Sequence, residues 1–242
     1  MKNQFKEYSY YYDLLYQDKN YKKESEYIHS LTQKYAPGAK TILNLGCGTG
    51  KHDCILAEKG YHITGVDLSE TMIEKAKENA KFANSDIEFI YGDVRNIKLN
   101  KKFDVVISLF HVLSYQNRDE DVNKFFNTAK THLKPNGIFI FDFWYAPAVL
   151  AEMPEIRIKR VENQDFKLIR IAEPEIHLSK NIVDVNYELI VINKGNYKVR
   201  ILNETHSMRY FTYPELKKYF IKNNYYVLGQ TFKGWAGEYV LK

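Results

Sequence analysis

Cysteine is scarce in this 242-residue chain: Cys47 and Cys54 stand alone, with no second pair to complete a metal site, and both are read as reduced, unpaired thiols. His29, His52, His62, His132, His177 and His206 have no acidic or cysteine partner at ligand spacing, so no metal is expected. No apolar run is long enough to cross a bilayer, and the opening MKNQFKEYSYYYDLLYQD lacks the apolar core of a signal peptide, which points to a cytoplasmic protein with no membrane partner. Charge of one sign is also missing. Lys and Arg exceed Asp and Glu by 35 − 30 = +5, and the lysines are scattered rather than massed, so no nucleic-acid partner is expected. What remains is a chain that is 45% hydrophobic, enough for one soluble α/β domain over residues 1–242.

The chain is organised around Thr41 to Asp53, TILNLGCGTGKHD. A strand-like run, Ile42 to Leu45, ends in Gly46, Gly48 and Gly50, and a helical pattern follows. Glycine permits both a tight turn and close approach of backbone N–H groups to a ligand, the grammar of a nucleoside-bearing cofactor at the carboxyl end of a parallel strand. The G-x-G-x-G spacing differs from the G-x-G-x-x-G of dinucleotide enzymes and argues against a nicotinamide dehydrogenase.

Ahead of this loop, Lys22 to Tyr35 carries Tyr27, Ile28, Leu31 and Tyr35 at helical spacing, and Pro37-Gly38 ends it. Tyr10, Tyr11, Tyr12, Leu14, Leu15, Tyr16 and Tyr21 make the preceding stretch too aromatic for a loose tail. Residues 1–36 therefore read as a helical cap, either covering a cofactor pocket or plugging the sheet edge. Beyond the loop, Asp53 to Lys59 reads as a short helix and Tyr61 to Val66 as a second strand. Asp67 at its end suits the two hydroxyls of a ribose; it also suits a helix N-terminus, because Ser69 is placed as an N-cap. A helix with Met72, Ile73, Ala76 and Ala80 on one face leads to a third strand, Ile87 to Tyr91. Gly92-Asp93-Val94 then suits an adenine, with Asp93 taking the exocyclic amine and Val94 covering the ring, or is a simple turn.

Phe103 to Phe110, FDVVISLF, is apolar enough to be buried on both faces. A helix near Glu120 to Leu133 and a fifth strand, Ile138 to Phe143, follow. Residues 155–210 then change character into β-rich runs with turn breaks near Asn163 and Gly195, an antiparallel insertion across the pocket mouth. Tyr213 to Asn224 reads as a helix, and Tyr225 to Thr231 with Glu238 to Leu241 as an antiparallel pair. The fold class is α/β: a Rossmann-like, doubly wound, seven-stranded, mostly parallel sheet with an antiparallel β insertion after strand 5.

LNLGCGTG, VDLS, YGDVRNI, FDVVISLFHVLSY and LKPNGIFIFDFW, in that order, resemble the successive motifs of class I S-adenosylmethionine-dependent methyltransferases. The resemblance implies S-adenosyl-L-methionine as cofactor, with Gly46, Gly48 and Gly50 facing its methionine part and Asp67 its ribose, and with Cys47, Leu68 and Met72 also among the cofactor-binding residues. Asp93 and Val94 would face the adenine, and Leu109 the cofactor's underside. The opening tyrosines, the β insertion and HSMRYFTYPELKKYF are similar to the group acting on nucleotide-linked amino-deoxysugars. That likeness implies N-methylation of a small-molecule amine, a possible homodimer, and Tyr12 and Tyr21 at the cofactor's carboxylate. A neutral amine needs no strong base, whereas an alcohol would, and His111 after the fourth strand is then the candidate base or else a packing residue. Tyr115 would orient the acceptor. O-methylation of a sugar or other surface-polysaccharide precursor is the alternative, and a non-catalytic cofactor-binding protein the alternative of another class.

Overall fold

The computed structural model describes residues 7–234 and 236–242. Residues 1–6 of the expected cap, and Trp235, lie outside the described residues. The chain opens with two helices, α1 (Ser9–Leu15) and α2 (Tyr21–Tyr35), the second capped by Asn20, whose side chain accepts from the Lys23 N–H. Strands and helices then alternate: β1 (Thr41–Leu45), α3 (Lys51–Glu58), β2 (His62–Asp67), α4 (Glu70–Phe82), β3 (Glu88–Tyr91), β4 (Phe103–Ser108), α5 (Asp119–His132) and β5 (Leu133–Tyr145). A short helix α6 (Ala146–Ala151) leads into β6 (Arg157–Glu162), β7 (Phe166–His177), β8 (Ile182–Asn193) and β9 (Val199–Phe211). The chain closes with α7 (Tyr213–Lys222), β10 (Val227–Lys233) and β11 (Ala236–Leu241).

The central sheet runs β3-β2-β1-β4-β5, all parallel, and continues through β11 and β10 in antiparallel register. These are the strands expected for the central sheet. The β6–β9 insertion is antiparallel throughout and joins the same sheet, because β9 pairs with the last two residues of β5, Trp144 with Tyr210 and Tyr145 with Phe211, making it 11-stranded. β5 can serve both neighbours because it is 13 residues long and outruns β4, whose pairing ends at Phe141; β9 takes that edge beyond β4 while β11 holds the opposite edge.

Alternation along β5 sorts the core. Phe139, Phe141 and Phe143 point to one face, where α5 and α7 deliver Phe125, Phe126, Leu216 and Phe220. Ile138 and Ile140 point to the other, against Ile28 of α2 and Leu56 of α3. The fourth strand is buried on both faces, as its composition predicts, but it stops at Ser108 rather than running to Phe110. Among the described residues no helix is long and apolar enough to cross a membrane.

Candidate active site

β1 ends against a loop whose geometry only glycine accepts. Gly46 has φ +85°, and a Cβ there would lie 2.4 Å from Val112 Cγ2. The N–H groups of Gly46 and Cys47 donate to the Val66 carbonyl (2.7 and 3.0 Å), which ties the loop to the end of β2. The Gly48 N–H donates to Asp67 Oδ2 and the Ser69 N–H to Asp67 Oδ1, each at 2.9 Å. Ser69 in turn caps α4 by accepting the Met72 N–H. The two readings of Asp67 are therefore not exclusive, since each carboxylate oxygen takes one backbone donor and keeps lone pairs for another. Burial raises the Asp67 carboxyl above its ordinary value against those donors. Gly50 does not line the cavity described below. It sits at the N-terminus of α3 with φ +71°, and a Cβ would lie 2.7 Å from Phe89 Cζ, so it lets α3 and α4 pack rather than facing a ligand.

A cavity of about 830 Å³ opens at the carboxyl ends of the parallel strands. Gly46, Cys47, Gly48, Asp67, Leu68 and Met72 line it from the loop and α4, and Asp93, Val94 and Leu109 from the ends of the next strands. Tyr12, Tyr21, His111 and Tyr115 complete the expected set. Burial raises both Tyr12 and Tyr21 hydroxyls above their ordinary values, so both stay protonated donors. Tyr21 Oη is buried without a hydrogen-bond partner, and Lys19 and Lys51 hold their ammonium groups 5.1 and 5.3 Å from its ring centre. Both ammonium groups are already paired, Lys19 with Glu24 (2.6 Å) and Lys51 with Asp13 (3.4 Å), so the orphan Tyr21 hydroxyl is the donor open to an acceptor such as a carboxylate. The Cys47 thiol is raised by burial and is free, as is Cys54.

The cap is docked here by a residue that sequence reasoning passed over. Asp13 of α1 accepts from Thr49 Oγ1 (2.7 Å) in the glycine loop and from Asn79 Nδ2 (3.0 Å) on α4. Asp93 also differs from its simplest reading. Its carboxylate is clasped by Arg95 Nε (2.9 and 3.0 Å); burial raises the group, but the Arg95 hydrogen bonds and charge more than offset this and hold it below its ordinary value.

After β4, Phe110 and His111 both adopt φ +66°, unusual for bulky side chains. Asp142 on β5 holds them there: its Oδ2 accepts the Phe110 N–H (3.0 Å) and its Oδ1 the His111 N–H (2.6 Å). FIFDFW contains this residue, yet nothing in the residue types at 110–111 signals a left-handed turn. The His111 Nδ1 is buried, unbonded and 3.9 Å from Asp142 Oδ1. Burial holds the imidazole below its ordinary value, against the pull of Asp142, so it is neutral at pH 7. Tyr115 follows on the 3-10 turn Val112–Tyr115 and places its hydroxyl 2.8 Å from His206 Nδ1. His206, together with Tyr187 and Met208, brings the β insertion into the cavity wall. The sequence offers His206 no partner at metal-ligand spacing, but the strand places Glu204 Oε2 3.1 Å from its Nε2.

Residues 42–137 match the family model described as a methyltransferase domain. The chain is 29% identical over 143 residues to a dTDP-3-amino-3,4,6-trideoxy-alpha-D-glucopyranose N,N-dimethyltransferase of Streptomyces venezuelae, covering 58% of this chain and 59% of that protein. The chain thus matches somewhat over half the length of such curated relatives. Two solved structures share its fold almost throughout: an S-adenosylmethionine-dependent methyltransferase from Clostridium acetobutylicum (TM-score 0.83, 22% identity, 96% and 95% of the two chains covered) and Streptomyces venezuelae DesVI (0.83, 24%, 95% and 95%).

Proposed function

We propose that this chain is an S-adenosylmethionine-dependent methyltransferase that methylates an amine of a small-molecule acceptor, a nucleotide-linked amino sugar. The observation that carries the reading is one cavity whose wall holds the glycine loop, Asp67, the orphan Tyr21 hydroxyl, neutral His111 and Tyr115 together. Asp67 would hold the ribose, Tyr21 the carboxylate, and Met72, Val94 and Leu109 the apolar faces. The bound cofactor supplies an already activated methyl group. The protein's task is then to orient the acceptor's lone pair and exclude water, effects worth roughly 7–11 kcal/mol. The cap docked by Asp13 supplies the exclusion, and Tyr115 supplies a hydrogen bond for the acceptor. Relatives that act on amino sugars, including the Streptomyces venezuelae enzyme, favour nitrogen as the target.

O-methylation has its own supporting observation, because His111 is neutral and its Nδ1 is unbonded, as a base for an alcohol must be. Mass spectrometry of reactions with amino- and hydroxy-sugar nucleotides separates the two by product mass and fragmentation. Asp67→Ala should weaken cofactor binding by calorimetry about tenfold to a hundredfold, the loss of charged hydrogen bonds. Equal affinity would discard the ribose assignment. Tight cofactor binding with no product from any acceptor would leave a non-catalytic binding protein.

A further inference from the structure

The insertion carries a cation with no counter-charge. Arg170 of β7, on the face that meets α1, donates from Nη1 to the hydroxyls of Tyr8 and Tyr16, both at 3.1 Å. Its guanidinium lies 5.5 and 5.1 Å from the ring centres of Tyr16 and Tyr187. The Nε is buried and unbonded, and among the described residues no carboxylate pairs with this side chain. Other sheltered guanidinium groups differ: Arg95 holds Asp93 and Asp121, and Arg209 holds Asp119 and Glu215. The neighbouring lysine is matched as well, because Lys159, opposite Arg170 on β6, pairs with Asp18 (2.6 Å). So are Lys19 and Lys51 in the cavity wall, which hold Glu24 and Asp13. A charge taken out of water is normally paired or binds an ion, since left alone it is costly.

Tyr16 connects this charge to the cavity. It lines the wall, with its ring edge-on to Phe110 at 5.3 Å, and Phe110 precedes His111 in the wall assigned to the acceptor. A guanidinium only donates, so the Tyr16 oxygen accepts, and the Tyr16 O–H proton is donated to no described group. Arg170 does not itself line the cavity; it acts through this hydroxyl, because a hydroxyl that accepts from a cation becomes the stronger donor. An open O–H donor with a positive charge behind it is complementary to an anionic oxygen.

We propose that Tyr16, backed by Arg170, holds a phosphoryl oxygen of the acceptor, so that the cap and the insertion together recognise a nucleoside diphosphate as well as the amine. This rests on the nucleotide-linked acceptor proposed above. Tyr16 is the contact, and Arg170 is a positioning residue that supplies the counter-charge.

Calorimetry on the full chain, with and without S-adenosylhomocysteine, tests it with thymidine diphosphate and thymidine as probes. The parent should bind the diphosphate about tenfold or more tightly than the nucleoside, and the gap should narrow as salt is raised. Tyr16→Phe keeps the ring and removes the donor. It should weaken diphosphate binding about tenfold and leave the affinities for thymidine and S-adenosylhomocysteine unmoved. Arg170→Gln should do the same, and Arg170→Lys, which keeps the charge, should recover part of the loss. If Arg170→Gln does not fold, Tyr16→Phe alone decides. Equal affinity of the parent for the two probes would overturn the proposal, as would diphosphate binding that Tyr16→Phe leaves unchanged. A parallel fall in all three affinities would overturn it too, since that marks a clasp that only straps α1 to the insertion. Failure of the methyltransferase reading looks different: the parent would hold the diphosphate through Tyr16 yet yield no methylated product.

Discussion

Asp142→Asn tests what holds the acceptor wall in place. Two backbone N–H groups, from Phe110 and His111, converge on its carboxylate at 3.0 and 2.6 Å. Asparagine keeps one acceptor oxygen and turns an NH₂ toward the other N–H. One hydrogen bond to a charged group is lost, about 1.5–3 kcal/mol, and a donor faces a donor. Against this stands the strain of two successive left-handed bulky residues, about 1–3 kcal/mol each, which is relieved once the turn is allowed to flatten. Because relaxation recovers part of the loss, the net destabilisation should be about 2 kcal/mol, read as a lower midpoint in urea unfolding at constant slope. The turn itself reports more directly. Amide signals of Phe110 and His111 should shift strongly, and exchange of their N–H protons should quicken, because these are the donors that lose their acceptor. On the proposed function, kcat should fall further than cofactor affinity, since Asp67 and the glycine loop are untouched. A variant within about 0.5 kcal/mol of the parent, the range of ordinary surface changes, with unmoved amide signals at both residues, would refute the claim that this carboxylate holds the turn.

Glu238 gives a pH dependence of defined sign. Burial and the neighbouring Asp142 raise its carboxyl from 4.5 to about 7, against a hydrogen bond from Tyr27. A raised carboxyl favours the protonated folded state, so its contribution is full below pH 4.5 and is lost as pH rises through about 7. The loss has a ceiling of about 3 kcal/mol, less the screening from its remaining exposure. Glu238→Gln should flatten that part of the curve of unfolding free energy against pH, and a curve unchanged in shape would show that Glu238 is not its source. Asp13→Ala removes the acceptor shared by Thr49, Asn79 and Lys51. Binding of S-adenosylhomocysteine should weaken about tenfold, the worth of roughly one net hydrogen bond, and amide exchange in α1 should accelerate; if neither changes, α1 is docked by its apolar contacts alone.

The parts of this molecule that could be read from sequence are those set by neighbours in the chain. Hydrophobic period places β1 to β4 and their helices within a few residues, whereas β5, expected from Ile138, already begins at Leu133 and runs through Pro135 and Gly137. The glycine spacing and Asp67 locate the loop because backbone N–H groups, not distant side chains, shape it. Gly50 shows the limit even there, since its lack of a side chain serves the packing of Phe89 and Ala76. Asp142 is invisible to the same reasoning: an acid inside an apolar strand has meaning only once β4 ends beside it and two N–H groups turn its way. Glu204 and His206 are likewise ordinary alternating residues of a strand until β9 pairs with the end of β5.

This division follows the chemistry of the cavity. Residues 42–137, the stretch that matches the methyltransferase domain, contain the glycine loop, Asp67, Asp93, Leu109, His111 and Tyr115. Tyr12, Tyr21, Trp144, Tyr187, His206 and Met208 line the same cavity from outside that stretch. On the proposed function, a cofactor common to many enzymes demands the same local backbone each time, so most of its half of the cavity is written in short motifs. On the same reading, the acceptor half joins His111 and Tyr115 to the end of β5 and the insertion, and the cap adds Tyr12 and Tyr21 at the cofactor's carboxylate, so both depend on contacts that span the whole chain. Substitutions at Tyr187, His206 or Met208 can therefore reshape what is methylated while leaving the Asp67 cradle intact. Exchanging His206 and Met208 should change acceptor preference without moving cofactor affinity, and a parallel loss of both would place those residues in the cofactor's half instead.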